Sequence, residues 1–552
     1  MERNHQPAQA MKPPVTESNP WHVLLVICVG VFMLLLDTTV VNVAQRKIQE
    51  GLNANLSEIQ WILDGYILTF AVLLLAFGRL GDILGRKKLF IIGLAIFTLA
   101  SVLCGASAMI ADITPLNGPQ ALIASRVLQG FGGAMMMPQT LSMVMVAFPH
   151  EKRGAALGVW SGIIGLGAVV GPILGGFIVT DYAWEWIFLI NLPVGIIAIL
   201  FGIRIIPESV DPQASRTIDW GGVALSGLGL FALVYGLIEA PHKGWGSATT
   251  ILTLVASVVL LVGFVFWEIR QRDPIVKLEL FKIWNFSVAM VLTIATSFGI
   301  FGIFFPMTLF LQAGLGFSPI RAGLTLVPMS VTMMVTAPIV GKLLDRLNPR
   351  WFMAIGMTLV TIGVFLIIGQ TNVDATWKTL FFPAALTGLG MGLTFTPLTT
   401  AAMKEVPPRI SGSASGILNT VRNVGQVLGI AVLGSLLQSK AGSNAQDRMV
   451  DLGLDGGLVS QIASLTKDTR LHDIPALFQN RTEMIPQVMG EIQLAFIDAV
   501  QFTFLFCAAV VAIGIPVALM MRTADVPATA PNSQKPAVEP AMSMPETYPV
   551  GE

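Results

Sequence analysis

Charge is what this sequence has least of. Only 12% of its 552 residues are Asp, Glu, Lys or Arg, about half the share found in soluble globular proteins. Hydrophobic residues make up 54%, and the mean hydropathy is +0.73. Such a chain is too apolar for a soluble domain and too apolar for disorder over most of its length. Its 33 basic and 33 acidic residues cancel, so no basic excess is available for nucleic acid. Cysteine is scarce as well. Cys28, Cys104 and Cys507 all lie in apolar runs, which argues against a disulfide framework and a thiolate metal site. The 5 histidines are scattered and form no ligand cluster. Phosphate-loop, His-Glu-x-x-His and Gly-x-Ser-x-Gly patterns are missing, so the chain contains no motor for ATP-driven transport and no hydrolase constellation. The expectation is a non-enzyme without metal or cofactor.

What the sequence does have is long, continuous apolar runs. Barrel strands alternate over about 10 residues, and these runs do not. They read as an all-α polytopic membrane protein with about fourteen spans. The first run, Trp21 to Ala44, is too long for a signal-peptide core and lacks a small-x-small cleavage site. Arg86, Lys87, Lys88, Lys152, Arg153, Arg270, Arg272, Lys277 and Lys282 fall in short loops on one side. The opposite short loops hold Arg46, Lys47, Lys243, Arg321 and Lys378. The positive-inside rule then puts both tails in the cytoplasm of a cell-membrane protein. The expected organisation is a tail over 1–20, a six-helix bundle over 21–206, two linking helices within 207–285, a second six-helix bundle over 286–522, and a Pro/Ala-rich disordered tail over 523–552. A polar stretch at 438–490 reads as an outer loop, either a small lid or a decorated linker.

The chain repeats itself weakly. Gly78-Arg79-Leu80-Gly81-Asp82 recurs as Gly341-Lys342-Leu343-Leu344-Asp345. Gly130-Phe131-Gly132 with Pro138 recurs as Gly388-Leu389-Gly390 with Pro397. Arg153 and Gly158 recur as Arg409 and Gly416. Offsets near ~260 residues fit two homologous halves joined by two extra helices.

Several motifs carry chemistry. In Gly78-Arg79-Leu80-Gly81-Asp82-Ile83-Leu84-Gly85-Arg86-Lys87-Lys88 the glycines permit a tight turn. Asp82 is placed to face the N-terminus of a following helix. Arg126, in an apolar run, needs a polar cavity or a carboxylate partner. Gly162, Gly165, Gly167, Gly171-Pro172, Gly175 and Gly176 allow close helix approach and a bend. Asp37, inside Leu36-Asp37-Thr38-Thr39-Val40-Val41-Asn42, is a candidate proton carrier, because burial penalises its charged form. Trp61 and Asp64 lie three apart and share a helix face, an arrangement suited to a lipophilic cation; the plainer reading pairs Asp64 with Arg126 or leaves it near the outer surface. Asn419-Thr420-x-Arg422-Asn423 is a polar run in which Arg422 is suited to an anionic group or a charge pair. Tyr66, Met135 and Phe305 are candidate pocket residues, as adaptable apolar side chains are, although such residues also serve packing or face lipid.

Together these motifs resemble the major facilitator superfamily, in particular its fourteen-helix drug:proton antiporter branch. The resemblance runs from about residue 20 to 522 and implies two six-helix bundles plus two linking helices. It implies that the 78–88 loop latches the halves on the inner side, the bland alternative being a positive-inside anchor. Gly78, Asp82, Gly85, Arg86 and Asp345 are its gating residues, with Gly171, Pro172, Gly175 and Gly176 as the antiporter signature, or else plain packing. It links Arg126 to proton transfer, or to a structural role, beside Asp37 and Asp64. The branch pattern is broken by Gln45-Arg46-Lys47, where Leu-Pro usually follows, and by Glu185, where Arg is usual. The implied function is proton-coupled efflux of lipophilic, preferably cationic compounds, driven by the proton gradient, from a monomer in the lipid bilayer. The alternative is export of one anionic or lipid-like metabolite or antibiotic.

Overall fold

The computed structural model describes residues 19–54, 56–210, 219–344, 346–467, 471–478 and 482–522. The two tails therefore lie almost wholly outside the described residues. Every regular element among the described residues is helical. The first set comprises α1 (Pro20–Leu52), α2 (Leu56–Leu84), α3 (Arg86–Gly105), α4 (Ser107–Ile113), α5 (Gly118–Ala147), α6 (Arg153–Asp181), α7 (Trp186–Leu189) and α8 (Asn191–Ile205). Then come α9 (Trp220–Lys243) and α10 (Ala248–Arg270). The last set comprises α11 (Trp284–Leu309), α12 (Pro319–Leu343), α13 (Pro349–Gln370), α14 (Trp377–Lys404), α15 (Ser411–Asp451), α16 (Gly456–Lys467) and α17 (Ile485–Leu519).

Twelve stretches among the described residues are long and apolar enough to cross a membrane. Helices α5 and α6, with 30 and 29 residues, also have the length. Arg126, Gln129 and Gln139 make α5 more polar than its neighbours. Local signals set the helix starts. Asn117 and Gln120 form a capping box on α5, as do Thr376 and Thr379 on α14. Ser318 and Asn348 cap α12 and α13, each followed by Pro at the first turn. Each device satisfies amide groups that a helix start leaves without partners.

The internal repeat is visible as matched glycine contacts. A Cβ on Gly132 would meet the Gly93 carbonyl at 2.8 Å, joining α5 to α3. A Cβ on Gly390 would meet the Gly356 carbonyl at 2.6 Å, joining α14 to α13 in the same way. Helix α6 packs through two glycine faces. Gly167, Gly171 and Gly175 sit against Leu35, Thr39 and Val40 of α1. Gly158, Gly162 and Gly176 sit against Ala337, Met334 and Ile320 of α12. Such stripes let backbones approach where lipid offers no hydrophobic driving force between helices. Helix α9 joins α2 and α15 in one apolar cluster of Leu68, Ala71, Val234, Leu237, Val427 and Ala431. Helix α10 packs behind it and leaves Val258, Val259, Val262 and Phe266 exposed.

The stretch at 438–490 is not a loop. Helix α15 continues to Asp451, α16 follows, and α17 begins at Ile485. Leu437, Ala441, Ala445 and Met449 are four apart and fully buried, so one apolar stripe persists through a polar composition. Met449, Val459, Ile462, Ile474, Phe478, Val488 and Ile492 form a separate small core there. Average hydropathy concealed this, because the stripe is narrow.

Candidate functional site

The most buried ion pair among the described residues joins Arg126 and Asp37. Arg126 on α5 donates through Nη1 to Asp37 Oδ2 on α1 at 2.5 Å. Gln129 Nε2 donates to the other oxygen, Asp37 Oδ1, at 2.7 Å. Arg126 and Gln129 are three apart, so one face of α5 delivers both donors. Arg126 also donates to Gln129 Oε1 and, through Nε, to the Ile62 carbonyl at 3.2 Å. Its guanidinium carbon lies 4.3 Å from the Tyr66 ring centre, a cation–π contact that partly replaces hydration. Asp37 and Arg126 are each 1% exposed, and Gln129 is 0% exposed. Removing two charges from water is costly, and the additional donors offset part of that cost.

A second layer of polar groups holds this centre. Gln129 Nε2 also reaches Ser101 Oγ on α3, at 3.3 Å. Asn191 Nδ2 on α8 donates to the same Oγ at 3.1 Å, and Ser101 donates to the Phe188 carbonyl at 2.9 Å. The network thus ties α1, α2, α3, α5 and α8 together. Sequence reasoning picked out Asp37, Arg126 and Tyr66, but not Gln129, Ser101 or Asn191 as site residues. The Arg126-x-x-Gln129 spacing was a usable signal for the first. Single polar residues in apolar helices were the only signal for the other two.

Asp64 does not join the pair. Arg126 is occupied by Asp37, and Glu239 on α9 is a like charge close enough to act on Asp64. Trp61 stacks on Tyr235 of α9, with ring centres 6.2 Å apart. Tyr235 stacks in turn on Phe231, and Lys243 bonds to Glu239 at 3.0 Å. Trp61 and Asp64 therefore share an aromatic, acidic face with α9, apart from Tyr66. Met135 packs in an apolar cluster with Phe77, Leu89 and Ala134. Phe305 lies beside Gly434 of α15. Neither belongs to the polar centre. Asn419 and Arg422 form a separate polar group on α15.

The latch residues meet across the two sets of helices. Asp82 at the end of α2 pairs with the Arg86 side chain at the start of α3 but does not cap that helix's backbone. Its carboxylate accepts from the backbone N–H groups of Gly412 and Ser413, at 3.1 and 3.0 Å. These are the second and third residues of α15, so an acid from one half caps a helix of the other. The N-terminus of α3 is capped instead by Glu208, which accepts from Lys87 and Lys88 N–H. Arg86 bridges the seam, donating to Asp82 Oδ1 at 2.6 Å and to the Pro408 carbonyl at 2.7 Å. Gly78 is required by close approach, because a Cβ there would meet the Gly412 carbonyl at 2.7 Å. Gly85 adopts φ +110°, a backbone conformation that favours glycine. At the second seam Gly341 meets Gly158, and a Cβ on Gly341 would lie 2.8 Å from the Gly158 Cα. Gly171 and Gly175 lie between α6 and α1, and Gly176 touches α12. Asp345 lies outside the described residues.

Comparison with known proteins identifies the family. A family profile for the Major Facilitator Superfamily matches residues 27–430. The chain is 32% identical over 531 residues to a tetracenomycin C resistance and export protein of Streptomyces glaucescens, covering 96% of this chain and 95% of that one. It is 34% identical over 415 residues to the multidrug resistance protein Stp of Mycobacterium tuberculosis (strain CDC 1551 / Oshkosh), covering 75% of each. In structure it resembles the human organic anion transporter MFSD10 (TETRAN), with a TM-score of 0.57 at 13% identity over 92% of this chain and 100% of that one. The last likeness bears on fold alone. With a matched profile over most of its length, the cross-half latch and relatives of this kind, the chain belongs to the major facilitator superfamily, and its relatives fit the drug:proton antiporter branch.

Proposed function

We propose that this protein exports lipophilic drugs or antibiotics across a cytoplasmic membrane in exchange for protons. The observation that carries the proposal is the buried Asp37–Arg126–Gln129 centre. A proton arriving on Asp37 cancels its charge and removes the attraction that holds Arg126. The pair then loses its reason to stay closed, and the polar layer at Ser101 and Asn191 has to rearrange. Loss of the proton to the other side restores the pair. The proton gradient is the energy source, and one charge crossing 100 mV yields about 2.3 kcal/mol. Alternating access would run between two bundles, 21–206 and 286–522, with the Asp82–Arg86 latch as the inner gate. The latch end carries Arg86, Lys87, Lys88 and Arg153, which supports a cytoplasmic placement for it and for both termini. The relatives named above for export and multidrug resistance support the direction of transport and the drug class. The acidic, aromatic face of Trp61, Asp64 and Tyr235 supports passage of lipophilic cations. The protein acts as a monomer in the bilayer in this reading.

The test is efflux into everted membrane vesicles driven by a pH gradient. Wild-type protein should accumulate ethidium until a protonophore is added. Asp37→Asn should reach the membrane and lose the gradient-driven component. Wild-type-like, protonophore-sensitive accumulation by Asp37→Asn would remove Asp37 from the coupling step.

A further inference from the structure

We propose that Arg422 forms the anion-binding subsite of the transport pathway, taking the acidic group of an aromatic substrate. This rests on the proton-coupled export read above and adds acidic aromatic compounds to the lipophilic cations as cargo. Arg422 on α15 is 6% exposed, and no ion pair among the described residues involves it. Its Nη2 donates to Thr399 Oγ1 at 3.2 Å and its Nη1 to Asn419 Oδ1 at 3.4 Å. Its Nε is buried with no hydrogen-bond partner among the described residues. The contrast with Arg126 is direct. Arg126 has a carboxylate, an amide and a backbone carbonyl as acceptors, whereas Arg422 has two neutral oxygens and a vacant Nε.

Arginine does not discharge to escape this situation. An intramembrane guanidinium without a counter-charge is costly and marks a functional position. The Nε edge, with its neighbouring Nη, is the fork that binds a carboxylate at two points. The surroundings fit an acid borne on an aromatic ring. The Trp160 ring of α6 and the Phe395 ring of α14 lie 5.4 and 5.8 Å from the guanidinium carbon. They belong to the two different halves, so the guanidinium sits at the seam that alternating access opens. Thr396 and Thr400, on the same stretch of α14 as Thr399, also have buried hydroxyls without partners among the described residues. These donors suit the remaining oxygens of an anionic group. Asp37 is engaged by Arg126, and no ion pair among the described residues compensates the charge on Arg422.

The experiment measures binding to the purified full-length protein in lipid nanodiscs. The probes are anthraquinone-2-carboxylate and its uncharged carboxamide, which differ in charge but hardly in shape. Ligand-induced shifts in Tm and titrated affinities are read for each. Wild type should bind the acid at least about 30-fold more tightly than Arg422→Gln does, the range expected when one partner of a buried charge pair is removed. The amide should bind both proteins alike, and Arg422→Lys should fall between them for the acid. Without ligand, Arg422→Gln should melt no lower than wild type, because it removes a buried charge that has no counter-charge. A purely structural arginine would instead lower the Tm. Equal binding of acid and amide by wild type overturns the proposal, and so does an acid preference that survives in Arg422→Gln. If Arg422→Gln fails to fold, Arg422→Lys decides: unchanged acid affinity there refutes two-point binding. The measurement needs no proton gradient, so its failure is separate from a failure of coupling at Asp37.

Discussion

Replacing Asp82 by Asn tests whether the latch sets the balance between inward-closed and inward-open protein. Asp82 and Arg86 are 0% and 3% exposed in their side chains. Asp82 also accepts from the N–H groups of Gly412 and Ser413. Removing one partner of a buried pair costs about 3–5 kcal/mol. Arg86 keeps the Pro408 and Arg409 carbonyls in the variant, so the lower end, about 3 kcal/mol, is the better figure. Once the inner ends part, Asp82 and Arg86 both meet water, and the substitution costs almost nothing there. The whole penalty therefore falls on the closed state. It should shift the equilibrium roughly 100-fold toward an open inner end. Spin labels at Leu84 and Leu347, which are 47% and 52% exposed, report this separation by pulsed dipolar spectroscopy. The native cysteines are all buried and do not compete for the label in folded protein. Wild type should give mainly the short distance, and Asp82→Asn mainly a longer one, with reduced efflux. An unchanged distance distribution in Asp82→Asn would refute the argument that the latch stabilises closure.

Asp37→Asn should lower the Tm, since Arg126 loses its counter-charge at a cost of about 3–5 kcal/mol; adding Arg126→Gln should recover part of the loss in a double-mutant cycle of thermal melts. Gly171→Val should separate α6 from α1, because its side chain meets Thr39; overpacking of about 1–3 kcal/mol should appear as a lower melting temperature and weaker drug resistance in cells. Gly85→Ala should cost about 1–3 kcal/mol through its positive φ, read as a drop in denaturation midpoint. Ala445→Glu should loosen the helical unit formed by α15, α16 and the start of α17, because Ala445 is 0% exposed within it; limited proteolysis should then cut between α15 and α17 faster than in wild type.

Much of the molecule was legible before any coordinates. Apolar runs located most helices, because crossing a membrane demands long uninterrupted stretches. Asp37 and Arg126 stood out because charge is rare in such stretches, so each demands a partner. By sequence the one partner named for Arg126 is Asp64, and the structure gives it Asp37 instead. The extension of α15 to Asp451 was hidden by its polar average. Gln129, Ser101 and Asn191 were unremarked as site residues because neutral polar side chains are common in helices, and only their convergence gives them a role.

The sequence by itself determined the membrane class, the twofold internal repeat and the residue types available for coupling. These depend on composition and on periodicity along one helix, which a linear chain displays. Only the tertiary structure decided which groups meet. It sent Asp82 to the N-terminus of α15 rather than α3, joined Asp64 to the α9 face, and left Arg422 without a carboxylate. Contacts between helices depend on how each helix is rotated and on which glycines permit approach. Hydrogen bonds and charge pairs act over a few ångströms, so no spacing along the chain could specify them.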